Sequence, residues 1–350
     1  MKIVNIFFTL FGVLTVIFFL FQVLPGDPAR MMMDQNESEE QLKIINKKYG
    51  FDLPVTKQYL YYLNDLSLFS IHSKKESDFN FLKENKYKYR KIFETKRGYF
   101  ILKLPYLRES YQRRGVKVSS IILNTFPNTF VLAVSSILIS ILFGLLFGIF
   151  SALNKDSFLD HIIQFISTLG MSVPSFFSAI IFAWIFGFLL SDYTGLNMTG
   201  SLYELDDYGN KYNLKIKNLI LPSIVLGIRP IAVISMMMRN SMVEVLKENY
   251  VITAYAKGLS TFQVVYRHCI KNSFNPVLTA LSGWFASLLA GSVFVEYIFG
   301  WNGLGREIVN ALNNLDIPVV IGAVLTVSFS FILINIFVDE IYKILDPRIK

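Results

Sequence analysis

Residues able to do chemistry are few and scattered. Cys269 is the single cysteine, so no disulfide forms within the chain, and the three histidines, His72, His161 and His268, fall at no metal-ligand spacing. No Gly-x-x-x-x-Gly-Lys-Ser/Thr run occurs, so nothing here cradles a nucleotide phosphate. The sequence therefore offers no catalytic group, no metal site and no cofactor of its own. What remains are single charges in apolar surroundings. Arg229, just ahead of Pro230, interrupts an apolar block. A charge at such a place is costly, and is by default functional or paired. It reads as the lining of a path where a guanidinium meets a carboxylate; an interfacial or acid-paired arginine is the alternative. Glu296 and Asp316 flank a short loop between two further blocks. They read as contacts for an outside partner or as a gate, with solvated loop charges as the alternative.

These residues sit in a chain built for lipid. Hydrophobic residues make up 53% and charged residues only 17% of its 350 positions, against about 25% charged in an average soluble protein. The apolar residues gather in long uncharged blocks, as membrane-spanning helices do. A bilayer core about 30 Å thick takes about 20 helical residues to cross, because lipid cannot hydrogen-bond an exposed backbone. Ile3 to Val23 is the first such block; it is long for a secretory leader and no small-x-small cleavage pattern follows it. Val118 to Asn154 predicts a lead-in and then a helix from about Thr125 to Leu153. Ile162 to Ser191 contains Pro174, which should kink or divide it. Asn218 to Met238, Asn272 to Val295 and Ile317 to Val338 complete six spans. Gly144 and Gly148 form a Gly-x-x-x-Gly pair suited to close helix packing, inside the chain or at a subunit interface.

The net charge of +8 does not point to nucleic acid, because the basic residues lie in loops where headgroups and topology account for them. With the N-terminus inside, the inner segments hold ten lysines and arginines. The two short outer loops hold only Lys211, Lys215, Lys217 and Arg306. That asymmetry predicts a multi-pass protein of the cell membrane with both termini in the cytoplasm. The chain then divides into a first transmembrane helix (1–24), an extracytoplasmic segment (25–117) and a five-helix core (118–350) with its main cytoplasmic loop at 239–272. In the extracytoplasmic segment, Ser38 with Gln41 predicts a helix start and Gly50 its end. The basic run 83–97 reads as a solvated or headgroup-facing surface, with an acidic protein partner as the alternative.

The most informative stretch is NYVITAYAKGLSTFQVVYRHCIKNSFNPVLT, from Asn249 to Thr279. It predicts a short helix from about Val243 to Lys257, a break at Gly258 and a second helix capped by Ser260. Such a helix–glycine–helix elbow is a compact knob, to which Ala254 and Ala256 give a smooth surface. An amphipathic helix lying on headgroups is the plain alternative.

Here the chain resembles the permeases of binding-protein-dependent ABC importers, in the dipeptide, oligopeptide and nickel branch. The resemblance rests on Thr253, Ala254, Tyr255, Ala256, Lys257, Gly258 and Leu259, and on Arg267, His268, Asn272 and Pro276 downstream. It departs from the family where Ile252 replaces an acidic residue and Tyr255 an arginine. Three more stretches match in order: Leu24 to Arg30, Gly291 to Gly305, and the ending with Asp339, Tyr342, Asp346, Pro347 and Arg348. The stretch from about Asp65 to Val116 is longer than the family norm and carries no motif of it that can be named.

The resemblance implies an all-α membrane protein of six transmembrane helices, with the type I importer architecture and an extracytoplasmic insert after the first helix. It implies that the elbow seats in a groove of an ATPase subunit through Thr253, Ala254, Ala256, Lys257, Gly258, Leu259, Arg267, His268, Asn272 and Pro276. It implies two ATPase subunits that bind ATP and magnesium, a second permease chain, and an extracellular solute-binding protein, for which Glu296 and Asp316 are candidate contacts. Peptides, or nickel and related small solutes, would then pass by alternating access, with Arg229 on their path. Two rivals stand beside this reading. An ion-coupled secondary transporter would want internal repeats and acids within spans, which the sequence lacks. A membrane sensor with an outer receptor segment would not need the elbow.

Overall fold

The computed structural model describes residues 2–23, 26–33, 38–82, 86–96, 98–206, 208–209 and 211–345. Leu24 and Pro25, parts of the 83–97 run, and Asp346, Pro347 and Arg348 of the C-terminal motif lie outside the described residues. The chain forms two compact units, one from residues 1–124 and 307–329, the other from 125–306 and 330–350.

The first unit opens with α1 (Lys2–Val23), uncharged from Ile3 onward. After α2 (Pro28–Met31), the helix expected after Ser38 appears as α3 (Glu39–Tyr49). The Ser38 hydroxyl accepts from the Gln41 amide at 3.4 Å, and Gly50 ends α3 at φ +75°. The amphipathic α4 (Val55–Leu66) packs Tyr62 against Leu14 and Phe18 of α1 and Ile321 of the last helix. The stretch 65–116, to which the sequence assigns no fold, is a three-stranded antiparallel sheet. Its strands are β1 (Phe69–Ser73), β2 (Tyr89–Glu94) and β3 (Gly98–Lys103), in the order β1-β3-β2. Its inner face buries Ile101 with Leu82 and Tyr87.

A buried polar knot ties this insert down. Asp65 accepts from the Tyr87 hydroxyl and from Arg108 Nε, both at 2.8 Å. Burial alone would raise the Asp65 carboxyl, but Arg108, Lys86 and the Tyr87 hydrogen bond hold it below the usual carboxylate range. Burial also pushes the Lys103 amine down to about 8. Asp316 is buried too; it accepts from Ser110 Oγ and, at 2.9 Å, from the Tyr111 amide.

The second unit is built on α9 (Lys217–Val245), which runs unbroken through Arg229 and Pro230. Onto it pack α5 (Val118–Leu153), α6 (Phe158–Ser172), α7 (Ser175–Trp184) and α12 (Ile270–Gly291). The predicted lead-in before Thr125 is itself helical, since α5 is one 36-residue helix starting at Val118. A short α8 (Ser191–Thr194), a hairpin of β4 (Tyr203–Leu205) and β5 (Tyr212–Leu214), and the helices α10 (Asn249–Ala256), α11 (Thr261–Val264) and α13 (Val293–Phe299) connect the long elements. The chain closes with α14 (Leu304–Asn313) and α15 (Ile317–Leu345), which the two units share.

Among the described residues, four helices are long and apolar enough to cross a membrane singly: α1, α5, α9 and α15. The third block divides at Pro174, as expected: α6 and the helix from Ser175 to Leu189 meet at 108°. The fifth block bends by 49° between Gly291 and Val293. Six crossings result when each bent pair is one span.

Gly144 and Gly148 face α9 within the same chain. A Cβ on Gly144 would come 2.7 Å from Ile234, and one on Gly148 2.7 Å from the Ser235 carbonyl. The pair thus serves close packing inside the chain.

Candidate functional site

The elbow begins where α9 ends at Val245. The predicted helix from Val243 is split there: Leu246 to Glu248 form turns, and α10 starts only at Asn249. At the far end Lys257 caps α10 and Gly258 takes φ +81°. The Gly258 amide donates to the Tyr255 carbonyl at 2.9 Å, and the Leu259 amide reaches back to the Ala254 carbonyl at 3.4 Å. This two-bond pattern is the glycine-terminated helix end in which a left-handed residue satisfies the last carbonyls. Nothing in the chain lies within 4 Å of a Cβ built on Gly258, so the backbone angle is what calls for glycine here.

Ser260 restarts the helix with a reciprocal cap. Its hydroxyl accepts from the Gln263 amide at 3.4 Å, and its own amide donates to Gln263 Oε1 at 3.0 Å. From Thr261 the chain is helical to Gly291, with one wide π turn over Val265–Cys269 that contains Arg267 and His268. Asn272, one turn later, donates to the Tyr250 hydroxyl at 2.8 Å and so ties α12 to α10. The elbow is thus held at its turn, at its restart and across its base.

The sequence-predicted residues fall on two sides of this elbow. Thr253, Ala256, Lys257, Gly258, Arg267, Asn272 and Pro276 are exposed, and Leu259 and His268 are half-buried. Ala254 is buried with Val251, Val264 and Cys269, so only Ala256 of the two alanines offers outer surface. The exposed ridge also carries Ile252, Tyr255, Phe262 and Tyr266, the last two stacked at 6.1 Å. The sequence reading missed the aromatic pair, although its four-residue spacing puts both rings on one helix face.

Above the elbow, Arg239 of α9 reaches α6. Its Nε donates to Asp160 Oδ1 at 2.8 Å and its Nη2 to Oδ2 at 2.6 Å. Asp160 is fully buried; it also accepts from Ser151, from the Asp156 amide at 2.9 Å and from Gln164 at 2.9 Å. Ser157 caps α6 and presents Asp160 at its first turn, where the helix dipole favours a negative charge.

Arg229 is exposed on α9 and donates to the Met171 carbonyl at 3.3 Å through Nη2 and 3.4 Å through Nε. Met171 belongs to the last turn of α6, whose carbonyls the break at Pro174 leaves without helical partners. The guanidinium therefore sits at the C-terminal end of one half of a broken span. No acid pairs with it among the described residues.

Of the two roles expected for Glu296 and Asp316, outside contact or gate, burial speaks against the first. Glu296 is fully buried in α13 and Asp316 is 4% exposed, so neither is a surface contact for an outside protein. Glu296 Oε2 instead accepts from the amides of Gly305 at 2.7 Å and Arg306 at 3.3 Å. The loop from Gly300 to Gly305 wraps round that carboxylate, with Trp301 buried and its Nε1 donating to the Asn128 carbonyl at 3.1 Å. Side chains at Gly303 or Gly305 would collide with Glu296, which explains the glycines.

Known proteins resemble the chain along nearly its whole length, so most of the stretch 65–116, expected to fall outside the resemblance, lies within the aligned part. Residues 144–350 match the family described as binding-protein-dependent transport system inner membrane component, and residues 1–78 match its N-terminal region. A dipeptide transport system permease protein DppB of Alkalihalophilus pseudofirmus is 32% identical, over 97% of this chain and 95% of its own length. A di/tripeptide transport system permease protein DppB of Pseudomonas aeruginosa is 33% identical, over 98% and 95%. An oligopeptide transport system permease protein AppB of Bacillus subtilis is 29% identical, over 97% and 95%. Among solved structures, an inward-facing form of the MetNI methionine ABC transporter superposes with a TM-score of 0.52 at 14% identity, covering 65% of this chain and 97% of that one. That likeness concerns the fold.

Proposed function

This chain belongs to the family of binding-protein-dependent transport system inner membrane components, and from that premise we propose how it works. It is a multi-pass permease subunit of an ABC importer, and not itself an enzyme. Its substrates are short peptides, a reading supported by the dipeptide, tripeptide and oligopeptide systems of its relatives. Nickel, the other solute of the sequence reading, has no such support, and neither rival class draws any.

The observation that carries the mechanism is the elbow. A knob fixed by a left-handed glycine, a reciprocal serine cap and the Asn272–Tyr250 bond moves as one piece. Its exposed ridge at Ile252, Tyr255, Ala256 and Lys257, with Phe262 and Tyr266, is the surface that a nucleotide-hydrolysing subunit grips. Two such subunits bind ATP and magnesium, and a second permease chain completes the pore. Closure on ATP pushes the elbow, and the spans exchange inward for outward openings. An extracellular binding protein delivers the peptide. Both termini and the elbow face the cytoplasm, and residues 25–117 lie outside.

Arg229 meets the peptide on its way. It is exposed, carries no acidic partner among the described residues, and stands at the break in a divided span. A carboxylate can replace the Met171 carbonyl as its acceptor and form a two-pronged bond.

The test is side-specific labelling combined with uptake. A cysteine at Lys257 should react with a membrane-impermeant thiol reagent only when the inner face is opened, in cells that take up a labelled dipeptide. Reaction from outside intact cells would overturn the topology, and loss of dipeptide uptake on deleting the chain is required for the substrate.

A further inference from the structure

We propose that the outward face of the β1-β3-β2 sheet lies on phospholipid, with Phe69, Ile71, Phe93 and Leu102 at the acyl boundary and Arg90 at the phosphates. This rests on the reading above that α1 and α15 cross the bilayer.

The outward face of the sheet is apolar, whereas the inner face sets Ser70, His72 and Lys103 beside Ile101. Alternation along β1 turns Ser70 and His72 inward and Phe69 and Ile71 outward. Antiparallel register places Leu102 opposite Phe69, and Phe100 opposite both Ile71 and Phe93. The outward rings stack, Phe93 on Phe100 at 4.7 Å and Phe69 on Phe100 at 6.1 Å. Phe69, Ile71 and Phe93 are each more than half exposed, at 56%, 62% and 52%. A one-sided antiparallel sheet in water carries polar residues on its open face. Among the described strand residues, this face carries apolar groups and one charge, Arg90, paired in register with Leu102. Glu94 pairs with Tyr99 in the opposite orientation and is bound to Lys74. Apolar area with a cation, and no acid among the described strand residues, suits a phospholipid surface.

The neighbouring helix fixes the depth. On α4, the Tyr59 hydroxyl meets Thr15 Oγ1 of α1 at 2.6 Å, and its ring packs on Phe18 and Phe19. Thr15 lies eight residues before the helix end at Val23, about 12 Å down at 1.5 Å per residue. Thus α4 sits beside the apolar part of α1, not above it. Tyr62, Leu63 and Leu66 continue the contact onto Ile317 and Ile321, the first turns of α15. Only Ser67 and Leu68 separate α4 from β1, and Leu68 is itself exposed. Asn64 of α4 clamps the free edge of β1: its Nδ2 donates to the Ile71 carbonyl at 3.0 Å, and its Oδ1 accepts from the Ile71 amide at 2.9 Å. The sheet is therefore fastened to a helix already at lipid depth. A soluble partner would leave this face bare whenever it dissociated; lipid is always there.

The experiment uses the assembled transporter in phospholipid nanodiscs. Single nitroxide labels go on Ile71→Cys, Phe93→Cys and Leu102→Cys, with Glu76→Cys as the water-facing reference. Cys269 is buried and stays, and the parent protein is the labelling blank. Power saturation compares collisions with oxygen, which partitions into lipid, and with a water-soluble nickel chelate. Labels on the sheet face should favour oxygen over nickel, the reverse of Glu76→Cys. Sheet labels as open to nickel as the reference would overturn the proposal. So would labels open to nickel that become shielded from both reagents only when the binding protein is added. Nanodiscs expose both sides of the membrane, so this result is independent of topology and of substrate.

Discussion

Arg239 holds Asp160 through both carboxylate oxygens, at 2.8 and 2.6 Å, six residues before α9 gives way to the elbow. The pair joins the helix that enters the elbow to the first turn of the divided span α6–α7. Any thrust on the elbow that moves α9 therefore moves α6. The broken end of α6 is in turn where Arg229 stands. One ion pair thus sits between the proposed ATPase contact and the proposed peptide contact.

Removing one member leaves the other charge buried and unpaired, which costs about 3–5 kcal/mol. Asp160→Ala should lower the melting temperature of the purified protein and abolish uptake. Arg239→Lys keeps the charge but loses the two-pronged geometry, and should retain most stability while slowing transport. Equal behaviour of the two variants in both assays would mean that the pair is only structural.

Gly258→Leu forces a branched side chain into φ +81°. A left-handed non-glycine residue costs about 1–2 kcal/mol, too little to unfold a membrane-embedded helical core. Membrane insertion should persist while substrate-stimulated ATP hydrolysis falls. Normal uptake by this variant would remove the elbow from the coupling route.

Gly148→Leu overfills the α5–α9 contact, where a Cβ already comes 2.7 Å from Met238. Overpacking of this kind costs about 1–3 kcal/mol. The melting temperature should fall, and Gly12→Leu, at a position with open space around it, should leave it unchanged.

The insert should loosen in acid. His72 is buried in β1, and burial pushes its imidazole from 6.5 down to about 4. The unfolded insert binds a proton below about 6.5 that the folded one refuses until about 4. The resulting stability is fully present above 6.5 and is lost as pH falls through that window, by at most about 3 kcal/mol. Protection of the β1 and β3 amides, taken relative to their intrinsic exchange rate at each pH, should fall between pH 7 and pH 5, and His72→Gln should flatten the change.

The sequence made the spans and the elbow legible because both are written in local signals. Apolar length marks α1, α5, α9 and α15, and Gly258 with Ser260 marks a helix stop and restart within three residues. Pro174 announced the break in the third span, but not its 108° angle, which depends on what α7 packs against. Arg229 and Pro230 interrupt the apolar block, yet α9 is one helix through both. The sheet at 69–103 was hidden, because its strands are short, carry apolar residues on both faces and include a β-bulge after Lys91. Asp160 and Arg239 lie 79 positions apart in sequence, so no local pattern shows that they meet. Glu296 and Asp316 read from sequence as outside contacts or a gate; only the fold shows that each binds backbone amides around it.

The central claim is that the elbow at 249–279 is gripped by an energy-supplying subunit. The direct measurement is crosslinking in membranes between a photoreactive residue at Tyr255 or Phe262 and its neighbours, followed by an ATP hydrolysis assay of the captured protein. One dominant crosslinked protein should appear that binds and hydrolyses ATP, with a yield that drops in Gly258→Leu. Crosslinks to lipid alone, or to a protein without nucleotide-hydrolysing activity, would contradict the claim.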